Sequence, residues 1–422
     1  MQQTTTNESR TQTPRQAVPS QVCGQGTAPE SGFGAVLRRP AFTVLFASEA
    51  ISLIGDRLVM VALVILVYDL TQSSAAVSGL MMLKAGPALI LGIAAGALVD
   101  RFNRKWVMVL SNLAQGLLVL IIPFSDSLKV VYGVYLLMSM INQFFIPARS
   151  ATIPDLVPKE LLLAANSLFS IAYVGGMALG PAIGGFLVDE YGLDMAFYVD
   201  SLTFLIPAIA VSLLSLPTNQ APASKSSIMA DLRAGFAYIH SEKRVKAGLS
   251  LSMAVYLGLG TLSVLGIVLT DEILQVGASG YGMLMSSMGV GLLVGAAFMG
   301  RWGNRFSRTQ LAVIGTMVAG IMLVLLPWST SLMMALIIGM GNGFGMVMVQ
   351  TSTNTTFQSA PDHLRGRVMG VSQALTGASS FLAMGFSGLL AEWIGVQAVF
   401  GIVGLIAVVI ALILVVLKQK VS

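Results

Sequence analysis

The sequence predicts an all-α integral membrane protein, with twelve transmembrane helices in two pseudo-symmetric six-helix bundles. Three observations predict it. Of 422 residues, 55% are hydrophobic and only 10% charged, against about 25% charged in a soluble domain. Twelve apolar runs each approach the roughly 20 residues needed to cross about 30 Å of hydrocarbon. The second six runs repeat features of the first. So few charges cannot coat a chain of this length for water, so lipid is its solvent.

The runs lie near 42–68, 77–99, 105–124, 131–149, 163–188 and 195–216, then 247–270, 281–300, 309–328, 331–357, 367–391 and 396–417. They divide the chain into an N-terminal bundle over 37–216 and a C-terminal bundle over 247–417, joined by a linker over 217–246. Residues 1–36 are Thr, Gln, Ser, Pro and Gly without an apolar run, and are expected to be a disordered tail. A basic start followed by an apolar core is missing, so the tail does not read as a signal peptide. Residues 418–422 form a second short tail.

Basic residues fix the expected orientation. Arg38 and Arg39, then Arg101, Arg104 and Lys105, then Arg149 and Lys159 fall on one side. So do those of 225–246, Arg301, Arg305 and Arg308, Arg365 and Arg367, and Lys418 and Lys420. Of 24 basic residues, only Arg57, Lys84 and Lys129 lie outside these segments and the tail. The positive-inside rule makes that side, and both termini, cytoplasmic. Asp126, Asp189, Glu190, Asp194, Asp271, Glu272 and Glu392 fall on the other. Ile228, Leu232, Phe236 and Ile239 recur at helical spacing in the linker, a helix read either as lying on the cytoplasmic leaflet or as a solvated connector.

At an offset of 203, Pro158 matches Pro361, Leu161 matches Leu364, Gly185 matches Gly388 and Leu187 matches Leu390. Asp189 then matches Glu392, Gly192 matches Gly395 and Phe197 matches Phe400. One diagonal over about 40 positions marks an internal repeat. A duplicated six-helix unit suits two bundles rocking about a site between them.

The loop after the second run carries Gly96, Asp100, Arg101, Arg104 and Lys105. It resembles the loop signature of the major facilitator superfamily, with Asn103 where many members have glycine. Asn is expected to serve there because it also accepts left-handed turns. The matching loop of the second half, Gly300 to Arg305, keeps basic charge and lacks the aspartate. The resemblance implies the major facilitator fold and a latch on the cytoplasmic side between Asp100 and Arg365 or Arg367. The fifth run holds Gly176, Gly180, Pro181, Gly184 and Gly185, which matches the family's antiporter signature. Its small residues let helices pack closely, and its proline bends the helix.

Drug–proton antiporters of the family often carry an arginine in the fourth span, and 131–147 has none, only Asn142 and Gln143. The chain resembles more closely the branch of siderophore (enterobactin) exporters and macrolide efflux proteins. That likeness rests on Gly55-Asp56, Pro147-Ala148-Arg149 before Ile153-Pro154, Ala165-Asn166-Ser167 and Leu364 to Val368.

Ionisable residues inside a span are costly and usually functional. Glu49, Asp56 and Arg57 lie on the first run and Lys84 on the second. Glu49 and Asp56, seven residues apart, share a helix face. At 1.5 Å per residue Asp56 lies roughly 21 Å from the basic end and Lys84 roughly 12 Å from the other, so an Asp56–Lys84 or Asp56–Arg57 pair is expected. Asp56, with Glu49, is expected either to bind a coupling proton or to hold a static ion pair, and Glu49 also has a snorkelling route inward. Asp200, near the outer end of the sixth run, reads as structural. The second half offers neutral polar groups instead, with Tyr256, Asn342, Gln350 and Asn354 as a candidate cavity wall beside Gln358 and Gln373.

The expected function is secondary active transport, as a proton-coupled exporter of small amphipathic organic molecules (drug, macrolide or siderophore) by alternating access. The fold equally hosts lysophospholipid flippases and small-solute importers. An enzyme is disfavoured because no Ser-His-Asp set, His-Glu-x-x-His or P-loop is present. A sensor is disfavoured because no sizeable soluble domain is present. One cysteine, Cys23, and two histidines, His240 and His363, argue against disulfides and a metal centre. The expected partners are a small-molecule substrate, protons and the lipid bilayer, with no cofactor, metal or nucleic acid. A monomer in a bacterial inner membrane is expected.

Overall fold

The computed structural model describes residues 32–99, 101–215 and 228–419, and those residues are helical throughout apart from short connections. A short α1 (Phe33–Leu37) precedes α2 (Pro40–Thr71), α3 (Ser74–Val99), α4 (Arg104–Val119), α5 (Leu128–Leu156), α6 (Leu162–Tyr191) and α7 (Leu193–Ser212). The linker helix is α8 (Ile228–Ser241). The second half comprises α9 (Lys243–Val268), α10 (Gly277–Trp302), α11 (Arg308–Leu325), α12 (Leu332–Gln358), α13 (Asp362–Ile394) and α14 (Val396–Gln419). Twelve of these are long and apolar enough to cross a membrane. All the loops rich in basic residues lie at one end of the bundle, called here the basic end, and the opposite end is the acidic one.

Local chemistry sets the helix ends. Pro40 opens α2, where its missing N–H costs nothing. Ser307 and Gln310 close a capping box on α11. Asn103 has φ −68° and its side chain accepts from the Lys105 N–H at 3.0 Å. It therefore serves α4 as an N-cap, not through the left-handed geometry expected from the sequence.

The residues that betrayed the repeat occupy its structural joints. Gly192 and Gly395 end α6 and α13 with the same φ of +84°, a conformation that strains any side chain. Pro158 and Pro361 sit in extended backbone just before the same two helices. Phe197 and Phe400 are both fully buried one turn into the next helix.

The halves meet along two seams, α6 against α10 and α3 against α13. A Cβ on Gly185 would lie 2.5 Å from the Ala278 carbonyl, and one on Gly282 2.2 Å from that of Pro181. On the other seam a Cβ on Gly388 would lie 2.2 Å from the Ser74 carbonyl. Backbones this close are possible only with glycine. Hydrogen bonds fix both seams at the acidic end. Asp189 accepts from the Ser279 N–H at 2.9 Å, at the start of α10. Its repeat partner Glu392 accepts from the Ala75 N–H at 3.2 Å and from Ser73 Oγ at 2.5 Å, at the start of α3. Each acid thus caps the first turn of a helix in the opposite half, where orphan N–H groups and the helix dipole favour a carboxylate. Tyr68 Oη donates to Glu272 at 2.5 Å between them. The seams continue to mid-helix, where a Cβ on Gly289 would lie 2.5 Å from Ala178, and α5 makes no extended contact with α12.

Two boundaries differ from the expectation. Residues 33–36, assigned to the disordered tail, belong to α1, because Ala35 and Val36 find an apolar bed formed by Ile153, Val157 and Ala165. Residues 1–31 lie outside the described residues. The linker helix packs onto the second half, against α13. Leu232 and Ile239 pack into a cluster with Val368 and Val371, and a Cβ on Gly235 would meet the Arg367 carbonyl at 2.8 Å. Phe236 is exposed and Ile228's side chain lies outside the described residues. The helix α14 continues through Lys418 and Gln419, which were assigned to the tail.

The packing generates two predictions. Gly388→Ala overpacks the α3–α13 seam by about 1–3 kcal/mol, enough to shift a two-state equilibrium by about 5- to 150-fold. With Cys23 replaced by serine, a cysteine at Ser263, between the halves, should then react faster with an impermeant maleimide added at the acidic end. On α2, a Cβ at Gly55 would fall 2.0 Å from Thr203 Oγ1. Gly55→Ala should lower thermal stability by about 1–3 kcal/mol, and adding Thr203→Ala should restore part of it.

Candidate functional site

A central cavity of about 780 Å³ lies between the halves. Its first-half wall carries Arg57, Lys84, Arg149 and Tyr173, and its second-half wall Tyr256, Gln350 and Asn354 among methionines 285, 288, 346 and 384. A side cavity of about 300 Å³ lies within the first half and is lined by Glu49, Asp56, Asn112, Gln115, Tyr135 and Gln143. Arg57, Lys84, Arg149, Leu53 and Tyr173 border both spaces. The carboxylates therefore face the inner space and the cations stand between it and the central cavity.

The glycines of α6 set this geometry by drawing α2 in. A Cβ on Gly176 would lie 3.2 Å from the Leu53 carbonyl, on Gly180 2.5 Å from Arg57 Cβ, and on Gly184 2.6 Å from the Leu58 carbonyl. Gly185 faces the other way, onto α10. Pro181 cannot donate to its own helix, and the next N–H, of Ala182, pairs with Ser286 Oγ at 2.8 Å across the seam. The signature read as one motif thus performs two tasks, positioning Arg57 and joining the halves.

Glu49 is buried and forms an ion pair with Arg149 on α5. The Arg149 guanidinium also lies 5.5 Å from the Phe169 ring centre. The snorkelling route for Glu49 is not taken. The fourth span does carry an arginine: α5 runs unbroken to Leu156, past the limit of 149 expected from the sequence. Arg149 therefore sits about 10 Å inside the helix end. The signal was present in residues 148–153, which contain no glycine or proline, with the stop coming only at Val157-Pro158. Oε2 of Glu49 and Nε of Arg149 have no hydrogen-bond partner, so the pair is incompletely satisfied.

Among the described residues Asp56 closes no salt bridge within 4.0 Å, and neither of the two expected pairs forms. Arg57 and Lys84 act on it through space. Arg57 instead lies over Tyr173, 5.1 Å from the ring centre. Asp200 is wholly buried beside Gly55; its Oδ1 accepts from Thr203 Oγ1 at 3.2 Å and its Oδ2 has no partner. In the second half, Gln350 Nε2 donates to Tyr256 Oη at 3.3 Å. Asn342 does not line the cavity; it donates to the Ala319 carbonyl at 3.0 Å and ties α12 to α11.

At the basic end, Gly96 lies in α3 and Asp100 lies outside the described residues. Arg104 is bound within its own half, to Asp155 at 3.1 Å and the Ala151 carbonyl at 3.0 Å. Lys105 lies 5.7 Å from the Trp106 ring centre, an anchor of the kind that sits at a membrane interface. Arg101 and Arg367 are exposed. Arg365 pairs with Asp362 at 2.6 Å and donates to the Gln358 carbonyl at 2.7 Å, so it is engaged within its own half.

Comparison with known proteins agrees with this architecture. A family model described as "Transmembrane secretion effector" matches residues 31–422. The chain is 29% identical to an uncharacterized MFS-type transporter, YfiS, of Bacillus subtilis, over 89% of this chain and 92% of the other. It is 27% identical to macrolide efflux protein A of Streptococcus pyogenes, over 88% and 94%. It is 26% identical to the multidrug efflux pump Tap of Mycolicibacterium fortuitum, over 86% and 92%. Among solved structures, the nucleoside transporter NupG superposes with a TM-score of 0.73 at 14% identity, over 88% and 98%. An inward-facing bacterial homologue of the lysosomal transporter Spinster gives 0.66 at 13%, over 93% and 96%. Twelve membrane-length helices, a cavity between duplicated halves and a match along nearly the whole chain lead to one assignment: the chain belongs to the transmembrane secretion effector family of major facilitator transporters.

Proposed function

We propose that the protein is a proton-coupled exporter of small amphipathic organic molecules, acting by alternating access from a bacterial inner membrane with both termini in the cytoplasm. The positive-inside rule makes the basic end cytoplasmic, so the seams close the outer side and the central cavity faces inward. The efflux proteins among the relatives support the direction. Methionine supplies an adaptable apolar wall that accommodates varied organic bodies.

One observation carries the coupling reading. Two carboxylates of a single helix, Glu49 and Asp56, line a space that shares the cations Arg57, Lys84 and Arg149 with the central cavity. Protonation of Asp56 or Glu49 removes the charge that these cations face, so proton occupancy and the shape of the cavity wall are linked. On the return stroke the Asp100 loop is expected to latch the cytoplasmic side against the second half, with Arg365 or Arg367 as its partner.

Everted vesicles energised to an acid interior test the reading with a pH-sensitive dye while macrolides, siderophores and dyes are added singly. A compound that is exchanged should dissipate the gradient with wild type and fail to do so with Asp56→Asn. Gradient loss unchanged in Asp56→Asn would remove Asp56 from the coupling site. The Glu49–Arg149 pair makes a separate prediction. Arg149→Met leaves Glu49 buried and alone, at a cost of about 3–5 kcal/mol in stability. Glu49→Met with Arg149→Met should recover most of that in thermal melts and still fail to release protons.

A further inference from the structure

The second half contains a recess that the proton-exchange reading leaves unused. It holds about 100 Å³ between α9, α12 and α13 and adjoins the central cavity through Tyr256, Gln350 and Asn354. Hydroxyl and amide side chains dominate its walls, none is charged, and Phe357 and Met369 supply the apolar remainder.

Much of a polar wall inside a membrane bundle must satisfy itself, and part of this one does. Ser252 Oγ donates to Thr353 Oγ1 at 3.1 Å, which in turn donates to the Val349 carbonyl at 2.8 Å. Thr376 Oγ1 donates to the Ser372 carbonyl at 2.9 Å. Four groups are left over. Ser372 is 4% exposed and its Oγ has no partner. The side chains of Asn354 and Gln373 make no hydrogen bond among the described residues. Tyr256 Oη accepts from Gln350 and keeps its own proton to donate. Ser372 is the buried member, and a buried polar group without a partner is costly; Asn354 and Gln373 are exposed and lie open on the same space.

We propose that this recess binds a neutral, hydroxyl-bearing ring of the substrate, a sugar-like appendage, while the apolar body of the same molecule fills the methionine-lined cavity. The wall offers donors and acceptors together, which suits hydroxyl groups, since each of these both donates and accepts. It offers no charge, so an ionic headgroup gains nothing there. The assignment rests on the central cavity being the substrate chamber. It divides the work between the halves: the first half exchanges the proton and the second recognises the cargo.

The test uses two neutral fluorescent coumarins with a common body, 4-methylumbelliferyl β-D-glucopyranoside and 7-methoxy-4-methylcoumarin. Equilibrium dialysis against the full-length protein in lipid nanodiscs, with empty nanodiscs as reference, measures binding without detergent glycosides. The glucoside should bind at least about tenfold more tightly, the factor that one neutral hydrogen bond is worth. Ser372→Ala and Gln373→Leu should each remove about that factor for the glucoside and leave the methoxycoumarin unchanged. Equal binding of the two coumarins, or equal weakening of both by the variants, overturns the proposal and assigns the recess to water. Asp56→Asn should keep the preference for the glucoside over the methoxycoumarin. A wild type that binds the glucoside but dissipates no gradient would therefore strike the coupling reading alone.

Discussion

The close approach of backbones at the acidic end is the constraint on which the rest of the structure depends. Membrane helices gain little from excluding water, since lipid is as apolar as their side chains. What joins the two halves must therefore be short-range contact and hydrogen bonding. Gly185, Gly282 and Gly388 allow the contact, and Asp189 and Glu392 supply the bonds. The two acids are equivalents in the repeat and each caps a helix of the other half. Because both capping bonds lie at the acidic end, the other end is left to part around the cavity.

Within the first half, glycine also decides where charge is placed. Gly176, Gly180 and Gly184 of α6 draw α2 in from one side, and Gly55 admits α7 from the other. Held in this way, α2 presents Glu49 and Asp56 to one space and shares Arg57 with another. The Glu49–Arg149 pair with its unfilled hydrogen-bonding positions, and Asp56 without a closed salt bridge, are groups left short of their partners. Under the proposed function such groups can change partners as protons and cargo arrive. A fully satisfied network would resist that change. The second half has no charge on its cavity wall and holds its polar groups through helix-to-helix bonds such as Asn342 to Ala319.

Much of this was legible in the sequence, for a physical reason. Hydrocarbon thickness fixes span length, so spans could be counted, and the diagonal from Pro158 to Phe400 named residues that prove to be helix starts, helix stops and seam contacts. Gly192 and Gly395 match because both need a positive φ, and Gly185 and Gly388 because both touch opposing backbone. Side-chain partners were less legible. Arg149 was placed at the very end of its span because hydropathy falls at a charged residue even when the helix continues, as α5 does to Leu156. The pairing of Glu49 with Arg149, not with any neighbour on its own helix, depends on how α2 and α5 pack, and no local pattern encodes that. Asn342 looked like a cavity group because hydropathy cannot show which way a polar side chain turns.

The central claim is that the halves rock, with the acidic-end seams opening as the basic end closes. Pulsed electron–electron spin resonance tests it most directly, with Cys23 replaced and one label pair at each end. Asp126 and Thr330 suit the acidic end, and Lys159 and Ser359 the basic end, since all four are exposed and each pair spans the halves. The account predicts a short acidic-end distance and a long basic-end distance at rest, with the first lengthening and the second shortening together when acid pH and an exported compound are combined. Distances that lengthen at both ends together, or an acidic end that stays closed while transport proceeds, would contradict it.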